Sequence, residues 1–260
     1  MESVKLGVEN RSYMRVFFQM VFLCILAPNL LRAGSMTDAE SEFTRFNYQN
    51  AISIYESLIA DAPNNADLLW RLSRVYVCLG DVSAPDQQEM LYRQAEKYAR
   101  ACIAADDSKS QGHAWLAASL GSTAMFVGSK TKVALSREIK VELDRALSLN
   151  PNDDVALTIL GSFHRALSNV SWIERQLADL LLGGLPKGGF KEGEAAFLKA
   201  IALSPTSVRH RFELAMLCRE AGQTDRSNDI MREAVTLRPQ MLSDFRRIEQ
   251  MKAMLAEQRP

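Results

Sequence analysis

Cysteine is scarce in this chain, with four residues in 260, and the 31 basic side chains are balanced by 31 acidic ones. The zero net charge and the absence of long like-charge runs argue against nucleic-acid-binding arms, so we expect no nucleic-acid partner. Beyond the N-terminal segment, the cysteines are Cys78, Cys102 and Cys218. This odd, scattered set excludes a disulfide framework, and none of the three has a neighbour at metal-ligand spacing.

The chain also lacks the patterns of a catalytic or cofactor site. Residues 128–131 (Gly-Ser-Lys-Thr) resemble the end of a phosphate-binding loop, but its first glycine is missing and no strand precedes it. The three histidines, His113, His164 and His210, lie in different segments, without an acidic partner at the spacing of a metal site or a catalytic triad. We therefore expect a non-enzymatic protein that needs neither a metal nor a cofactor.

What the chain does contain is a helical pattern that occurs five times. Each copy has packing residues at i, i+4 and i+7, which lie on one helix face, and four copies end in a proline that stops the helix: Pro63, Pro151, Pro205 and Pro239. Upstream of four copies lies a partner helix, for example Leu157-x2-Leu160-Gly161-x2-His164. Together the two patterns predict tetratricopeptide-like helical pairs, and thus an all-α fold of the α-solenoid type.

The spacing of the stops shows where the repeat is lengthened. Pro205 and Pro239 are 34 residues apart, the standard repeat length, whereas Pro151 and Pro205 are 54 residues apart. The additional residues contain the capping box Ser171-x-x-Glu174 and an apolar stripe, so we predict an inserted helix at 171–183 that packs against the array. The stripe consists of Trp172, Ile173, Leu177, Leu180 and Leu181.

Shorter insertions are predicted around residues 81–86 and 126–131, between the two helices of a repeat. The first is expected to extend the following helix over roughly 87–105. Residues 241–258 are long, charged and amphipathic, which is typical of a C-terminal capping helix. Residues 36–47 supply a weak partner for the first repeat, so we count five repeats, the first poorly formed.

The N-terminal 35 residues form a separate segment. Lys5, Arg11 and Arg15 precede an apolar run at 16–27, and small residues follow at 33–35. This order is typical of a secretory signal, and the run is short for a bilayer span, which needs ~20 apolar residues. We therefore divide the chain into a signal or membrane-directing segment (1–35) and a repeat domain (36–260). A secreted or periplasmic location is expected, with an uncleaved membrane anchor as the alternative.

Helical arrays bind partners along a concave wall formed by the first helix of each pair. In tetratricopeptide proteins, positions two, five, nine and twelve of that helix line the wall. Four arginines and three aromatic residues among these positions suit an acidic protein or peptide with apolar anchors. The candidate groove residues are Trp70, Arg74, Trp115, Arg165, Arg209, Phe212 and Arg219. The inserted apolar helix and the N-terminal segment leave a second interpretation open, a carrier that encloses a lipid or small amphiphile.

Two stretches are more particular than a generic repeat. Residues 113–117 (His-Ala-Trp-Leu-Ala), with the turn at 126–130, and residues 171–175 (Ser-Trp-Ile-Glu-Arg) resemble the regulator of microtubule dynamics family. The resemblance runs from about residue 45 to 245 and implies an all-helical, non-enzymatic adaptor. In some members it implies microtubule or organelle-membrane association, and thus a cytoplasmic, mitochondrial or spindle location. It supplies no functional motif that can be transferred residue by residue.

Overall fold

The computed structural model describes residues 34–257 of the chain. All regular structure in this range is helical, with twelve α-helices and one short 3-10 turn (Ala124–Phe126). In chain order the helices are α1 (Met36–Thr44), α2 (Tyr48–Asp61), α3 (Ala66–Gly80), α4 (Pro85–Ala105), α5 (Ser110–Thr123), α6 (Ser129–Leu149), α7 (Asp154–Ser168), α8 (Trp172–Leu182), α9 (Phe190–Leu203), α10 (Val208–Glu220), α11 (Thr224–Ala234) and α12 (Leu242–Ala256).

The turns between repeats follow one rule. Every stop residue is followed, two positions later, by the N-cap of the next helix. At three of these turns the cap side chain accepts a hydrogen bond from a free backbone N–H of the first turn, which stabilises the helix start: Asn65 before α3, Asp153 before α7 and Ser207 before α10. The stop and the cap together fix where each repeat begins.

The helices form five pairs: α1 with α2, α3 with α4, α5 with α6, α7 with α9, and α10 with α11. The first helices also contact one another in sequence, α3 with α5, α5 with α7 and α7 with α10. In every second helix the packing residue at i+4 is fully buried: Tyr55, Ala99, Leu143, Phe197 and Met231. The predicted repeat register and the α-solenoid fold class are therefore confirmed.

One close contact shows how tightly a repeat is packed. Gly161 of α7 lies against Phe197 of α9, and a methyl group added at Gly161 would come 2.5 Å from the Phe197 ring. Because Phe197 is fully buried, the ring has no solvent-filled space into which to move. Only glycine fits at this position without a rearrangement.

The insertions lie where the spacing predicts them. The first two lengthen the second helix of their repeats, so that α4 and α6 each have 21 residues. The third forms α8, whose N-terminus is closed by the capping box of Ser171 and Glu174.

The packing predicted for α8 is wrong, because its apolar stripe faces away from the array. The buried side chain of α8 is Ala178, and the five stripe residues are 49–80% exposed. Polar contacts fix the opposite side: Arg137 of α6 donates to the carbonyl oxygens of Leu182 and Gly184, and Arg175 donates to the carbonyl oxygen of Leu167. Apolar periodicity predicts a stripe, but these polar contacts decide which way it points.

The N-terminal end of the described array differs from expectation, and the C-terminal end agrees with it. At the N-terminal end, α1 buries Ala39 and Phe43 and packs on α2, so the first pair is a formed hairpin. At the C-terminal end, α12 packs on α10 and α11, as expected of a capping helix.

In addition, α12 reaches the first two repeats. The backbone N–H of Leu242 donates to the Tyr48 hydroxyl (3.0 Å), and Arg246 donates to the carbonyl oxygen of Asp81 (2.6 Å). The rings of Phe245 and Phe46 meet edge to face. The C-terminal helix therefore links the last repeat to the first two.

The predicted signal segment lies almost entirely outside the described residues. Within residues 34–257, each helix is too short or too polar to cross a bilayer.

Candidate partner-binding groove

Arg74, on α3, is engaged by neighbouring side chains. Its Nη2 donates to both carboxylate oxygens of Glu40 at 2.8 Å, and Arg71 and Tyr55 donate to the same carboxylate. Burial raises the pKa of Glu40, but the hydrogen bond and charge of Arg74, the hydrogen bond from Tyr55 and the charge of Arg71 outweigh burial and hold this pKa below its usual value. The guanidinium also lies 3.8 Å over the ring of Phe43. Its charge is offset within the array.

Arg165, on α7, is also offset. Its Nη1 lies 3.0 Å from Oε2 of Glu213, although the two atoms are not aligned for a hydrogen bond, and its Nε lies 3.7 Å from a carboxylate oxygen of Glu220. Both carboxylates belong to α10, so the interaction links two neighbouring repeats. Because Glu213 lies 48 residues away along the chain, sequence spacing gave no signal for this pair.

Arg209 and Arg219, both on α10, are the two arginines of the predicted groove whose charge no neighbouring carboxylate balances among residues 34–257. Both are half-buried, and neither has an ion-pair partner among residues 34–257. Nε of Arg209 and Nη1 of Arg219 are buried without a hydrogen-bond partner in the same range. A buried donor without a partner is unfavourable, and a charged donor more so, which marks this face of α10 as a place where an anionic group would be stabilised.

The three aromatic candidates have different environments. Trp115 is 3% exposed and belongs to the core between α3, α5 and α7, so its predicted place on the groove surface is wrong. Phe212 is partly buried against the core of the last repeat. Trp70 is half-buried, stacks beneath Arg71 and donates from its indole N–H to Asp67. The aromatic surface available to a partner is therefore smaller than the sequence suggested.

Cys78, on α3, is a buried thiol that feels charges from three helices. Burial raises the pKa of this thiol to about 12, with the Asp81 charge adding to the rise, while the charges of Arg74, Arg209 and Arg247 oppose it. Three guanidinium groups from three helices therefore act on one buried point. The charge of Arg209, from the last repeat, therefore acts on a residue of the second repeat.

Two histidines form carboxylate pairs that sequence spacing did not reveal. His113 lies 2.6 Å from Glu142, and His210 lies 3.0 Å from Asp154 and 2.7 Å from the hydroxyl of Thr158. The His210 hydrogen bond lowers the pKa of Asp154 despite partial burial.

The contacts of His210 resemble a Thr-His-Asp relay, but Thr158 is 1% exposed and donates to a backbone carbonyl of its own helix. The relay therefore joins α7 to α10 and does not present a nucleophile. Within residues 34–257, no three His, Cys, Asp or Glu side chains are grouped closely enough to hold a metal ion.

Comparison with known families gives a match over almost the whole described range. The family described as regulator of microtubule dynamics protein 1-3 matches residues 35–259. Regulator of microtubule dynamics protein 1 of Mus musculus is 28% identical over 168 residues, covering 64% of this chain and 53% of the mouse protein. The Caenorhabditis elegans protein of the same name is 23% identical, covering 75% of this chain and 86% of the worm protein.

These matches allow the chain to be compared with its relatives in length and in the group of organisms they come from. The chain spans about half the length of the mammalian relatives it matches. The relatives are eukaryotic, which fits the alternative location implied by the resemblance, and the secretory signal stays a prediction.

Solved structures agree on the fold. A thermophilic TPR protein of Thermus thermophilus has a TM-score of 0.63 at 17% identity, with 84% of this chain and 97% of that chain covered. At this identity the likeness establishes the fold alone. The helical pairs are therefore arranged as they are in a TPR protein.

Proposed function

Because the chain belongs to the regulator of microtubule dynamics protein 1-3 family, we propose that its repeat array is a non-enzymatic scaffold that binds an acidic segment of a protein partner along α10. The observation that carries this proposal is the pair Arg209 and Arg219, two half-buried arginines without an internal counterion among the described residues. A partner carboxylate at each guanidinium would form charge-assisted, bidentate hydrogen bonds.

The spacing of the two arginines specifies the partner further. Ten residues separate them on α10, which corresponds to about 15 Å along the helix axis and about 80° around it. Phe212 lies between them on the same face. An extended peptide advances about 3.3 Å per residue and its side chains alternate between two faces, so acidic residues four positions apart would lie on one face and reach both guanidinium groups.

Arg74 and Arg165, the other two arginines of the predicted groove, are already paired with carboxylates of the array. Glu40 already holds Arg74, and Glu213 with Glu220 holds Arg165. A partner would have to displace these internal carboxylates to bind there, whereas no internal carboxylate among the described residues opposes it at Arg209 and Arg219. The proposal therefore places the binding energy at α10 and not evenly along the groove.

The direct test uses the full chain and a fluorescent peptide that carries two glutamates four positions apart. The double variant Arg209→Gln, Arg219→Gln should weaken binding by about tenfold or more, since each charged hydrogen bond is worth about 1.5–3 kcal/mol. The matched control, Arg93→Gln with Arg232→Gln, removes two exposed arginines from α4 and α11 and should bind as the wild type does. Equal affinity of both double variants would contradict the proposal.

Microtubules are a second candidate partner, favoured by the names of the matched relatives. Tubulin presents an acidic surface, so binding through Arg209 and Arg219 would weaken as salt screens the contact. Co-sedimentation with purified microtubules, at low and high salt, should show a salt-sensitive fraction that the α10 double variant loses.

Native mass spectrometry of the purified chain addresses the lipid-carrier alternative. A stoichiometric lipid adduct would favour a carrier over a scaffold.

A further inference from the structure

The inserted helix α8 turns its apolar face to solvent, whereas an amphipathic helix of a repeat turns that face to the core. At 100° per residue, the five stripe residues fall within an arc of about 180°. The opposite arc carries Ala178, Leu182 and Arg175, which lie against the array. Trp172 is 74% exposed and Leu180 is 80% exposed. A helix that turns an apolar stripe of this width to solvent is typical of an interaction surface.

This orientation is held by specific contacts. The C-terminal end of α8 is fastened by Arg137, whose guanidinium donates to two backbone carbonyl groups there. The N-terminal end is fastened by Arg175, which donates to the carbonyl oxygen of Leu167 at 2.9 Å. Rotating the stripe inward would break both sets of contacts and leave carbonyl groups without donors.

The dimensions of α8 limit what can cover it. Eleven residues span roughly 16 Å, about half the hydrocarbon thickness of a bilayer, so α8 can lie in a membrane interface but cannot cross it. Tryptophan is enriched at that interface, where its ring sits at the headgroup level, and leucines on the same face insert more deeply. The stripe contains one tryptophan at one end and three leucines toward the other.

Lysines on the segments that adjoin α8 favour an anionic surface. Lys130 and Lys132 lie on α6, the helix that α8 contacts, and Lys187 lies in the loop that leaves α8. All three are exposed, and none has an ion-pair partner among residues 34–257. Of the two acidic residues on α8, Glu174 is bonded to Ser171 in the capping box, and Asp179 lies at the edge of the stripe. A second copy of this chain would bring like charges together, whereas anionic headgroups would neutralise them.

We propose that α8 docks the array on an anionic phospholipid bilayer, with Trp172, Leu177 and Leu180 inserted at the interface and the neighbouring lysines on the headgroups. This site is separate from α10 and does not depend on the proposed partner groove.

The test uses the full chain with vesicles of brominated phosphatidylcholine, with or without phosphatidylserine. The bromine atoms quench an inserted tryptophan, so the readout reports Trp172 and not attachment through another segment. We expect quenching with phosphatidylserine that the Trp172→Phe variant lacks, since Trp115 is buried and Trp70 is half-buried on α3, outside the inserted helix.

Variants separate the apolar from the charged contribution. Leu180→Glu with Leu181→Glu changes two exposed side chains and should abolish the quenching, while the control Val141→Glu, at a 63% exposed position on α6, should retain it. Lys130→Gln with Lys132→Gln should lower affinity for the anionic vesicles by about fivefold per lysine.

Three outcomes would overturn the proposal. They are vesicle binding without Trp172-dependent quenching, no binding by the folded wild type, and a dimer in sedimentation that the Leu180, Leu181 variant abolishes. The last would assign the face to a second copy of this chain.

Discussion

Replacing Gly161 with alanine tests the repeat register at its tightest point. The added methyl group would lie 2.5 Å from Cε1 of Phe197 and under 3 Å from two further ring atoms. Phe197 is fully buried, so its ring can move only by displacing other core side chains. The substitution therefore sets a gain in helix propensity against a loss from overpacking.

The two contributions can be separated with a matched glycine. Alanine is better than glycine inside a helix by about 0.5–1 kcal/mol, and overpacking a core costs about 1–3 kcal/mol. At the exposed Gly121 of α5, an added methyl group meets no atom within 4 Å, so Gly121→Ala keeps the gain without the clash. Gly161→Ala should therefore be less stable than Gly121→Ala by about 1–3 kcal/mol.

Thermal unfolding followed by circular dichroism measures the difference. A change of 1 kcal/mol shifts the melting temperature by about 2–4 °C in a domain of 150–250 residues. The double variant Gly161→Ala, Phe197→Leu should recover part of the loss, because the smaller side chain makes room for the methyl group. If Gly161→Ala melted at or above the Gly121→Ala temperature, the assigned contact between α7 and α9 would be wrong.

Three further outcomes are expected. Burial lowers the pKa of His164, so the unfolded chain binds a proton at this residue more readily than the folded chain does, and the free energy of unfolding should fall as pH drops below about 6.5. The His164→Phe variant should show a smaller fall in urea unfolding. A pH profile that the substitution left unchanged would contradict this prediction. Glu40→Gln should cost about 1–3 kcal/mol by leaving its arginine partners uncompensated, whereas the control Glu89→Gln, in an exposed pair, should cost under about 0.5 kcal/mol. Arg246→Ala removes the bond to the Asp81 carbonyl and should increase hydrogen exchange in α12; unchanged protection would show that this bond does not fasten the helix.

Local sequence signals were sufficient for the repeat fold. The packing triplets and the stop residues act within one or two helices, so their periodicity predicted the pairs, the register and the insertion sites. Gly161 is the clearest example, because it belongs to the first-helix pattern Leu157-x2-Leu160-Gly161-x2-His164, and the structure places it against Phe197 of the partner helix. The capping box of Ser171 and Glu174 likewise predicted where α8 begins, since both residues belong to its first turn.

The candidate site depends on contacts between distant residues, which local patterns do not encode. Glu40 and Arg74 are 34 residues apart, and sequence reasoning counted Arg74 as a free cation. The link from Leu242 to Tyr48 spans 194 residues and joins the two ends of the described array. Trp115 fits the groove position by helical phase, but neighbouring repeats cover it. Such outcomes are decided by how the repeats stack.

The repeats and the insertions contribute to different surfaces for a physical reason. A residue in a first helix must pack against helices on both sides, so the array fixes which way Arg209 and Arg219 can point. Residues 171–183 lie outside that periodic packing, and their helix is held mainly by backbone-directed contacts from Arg137 and Arg175. Its outer face can therefore carry apolar residues without affecting the core, and changes there leave the arginines of α10 in place. An insertion of this kind adds a second surface to a scaffold while preserving the first.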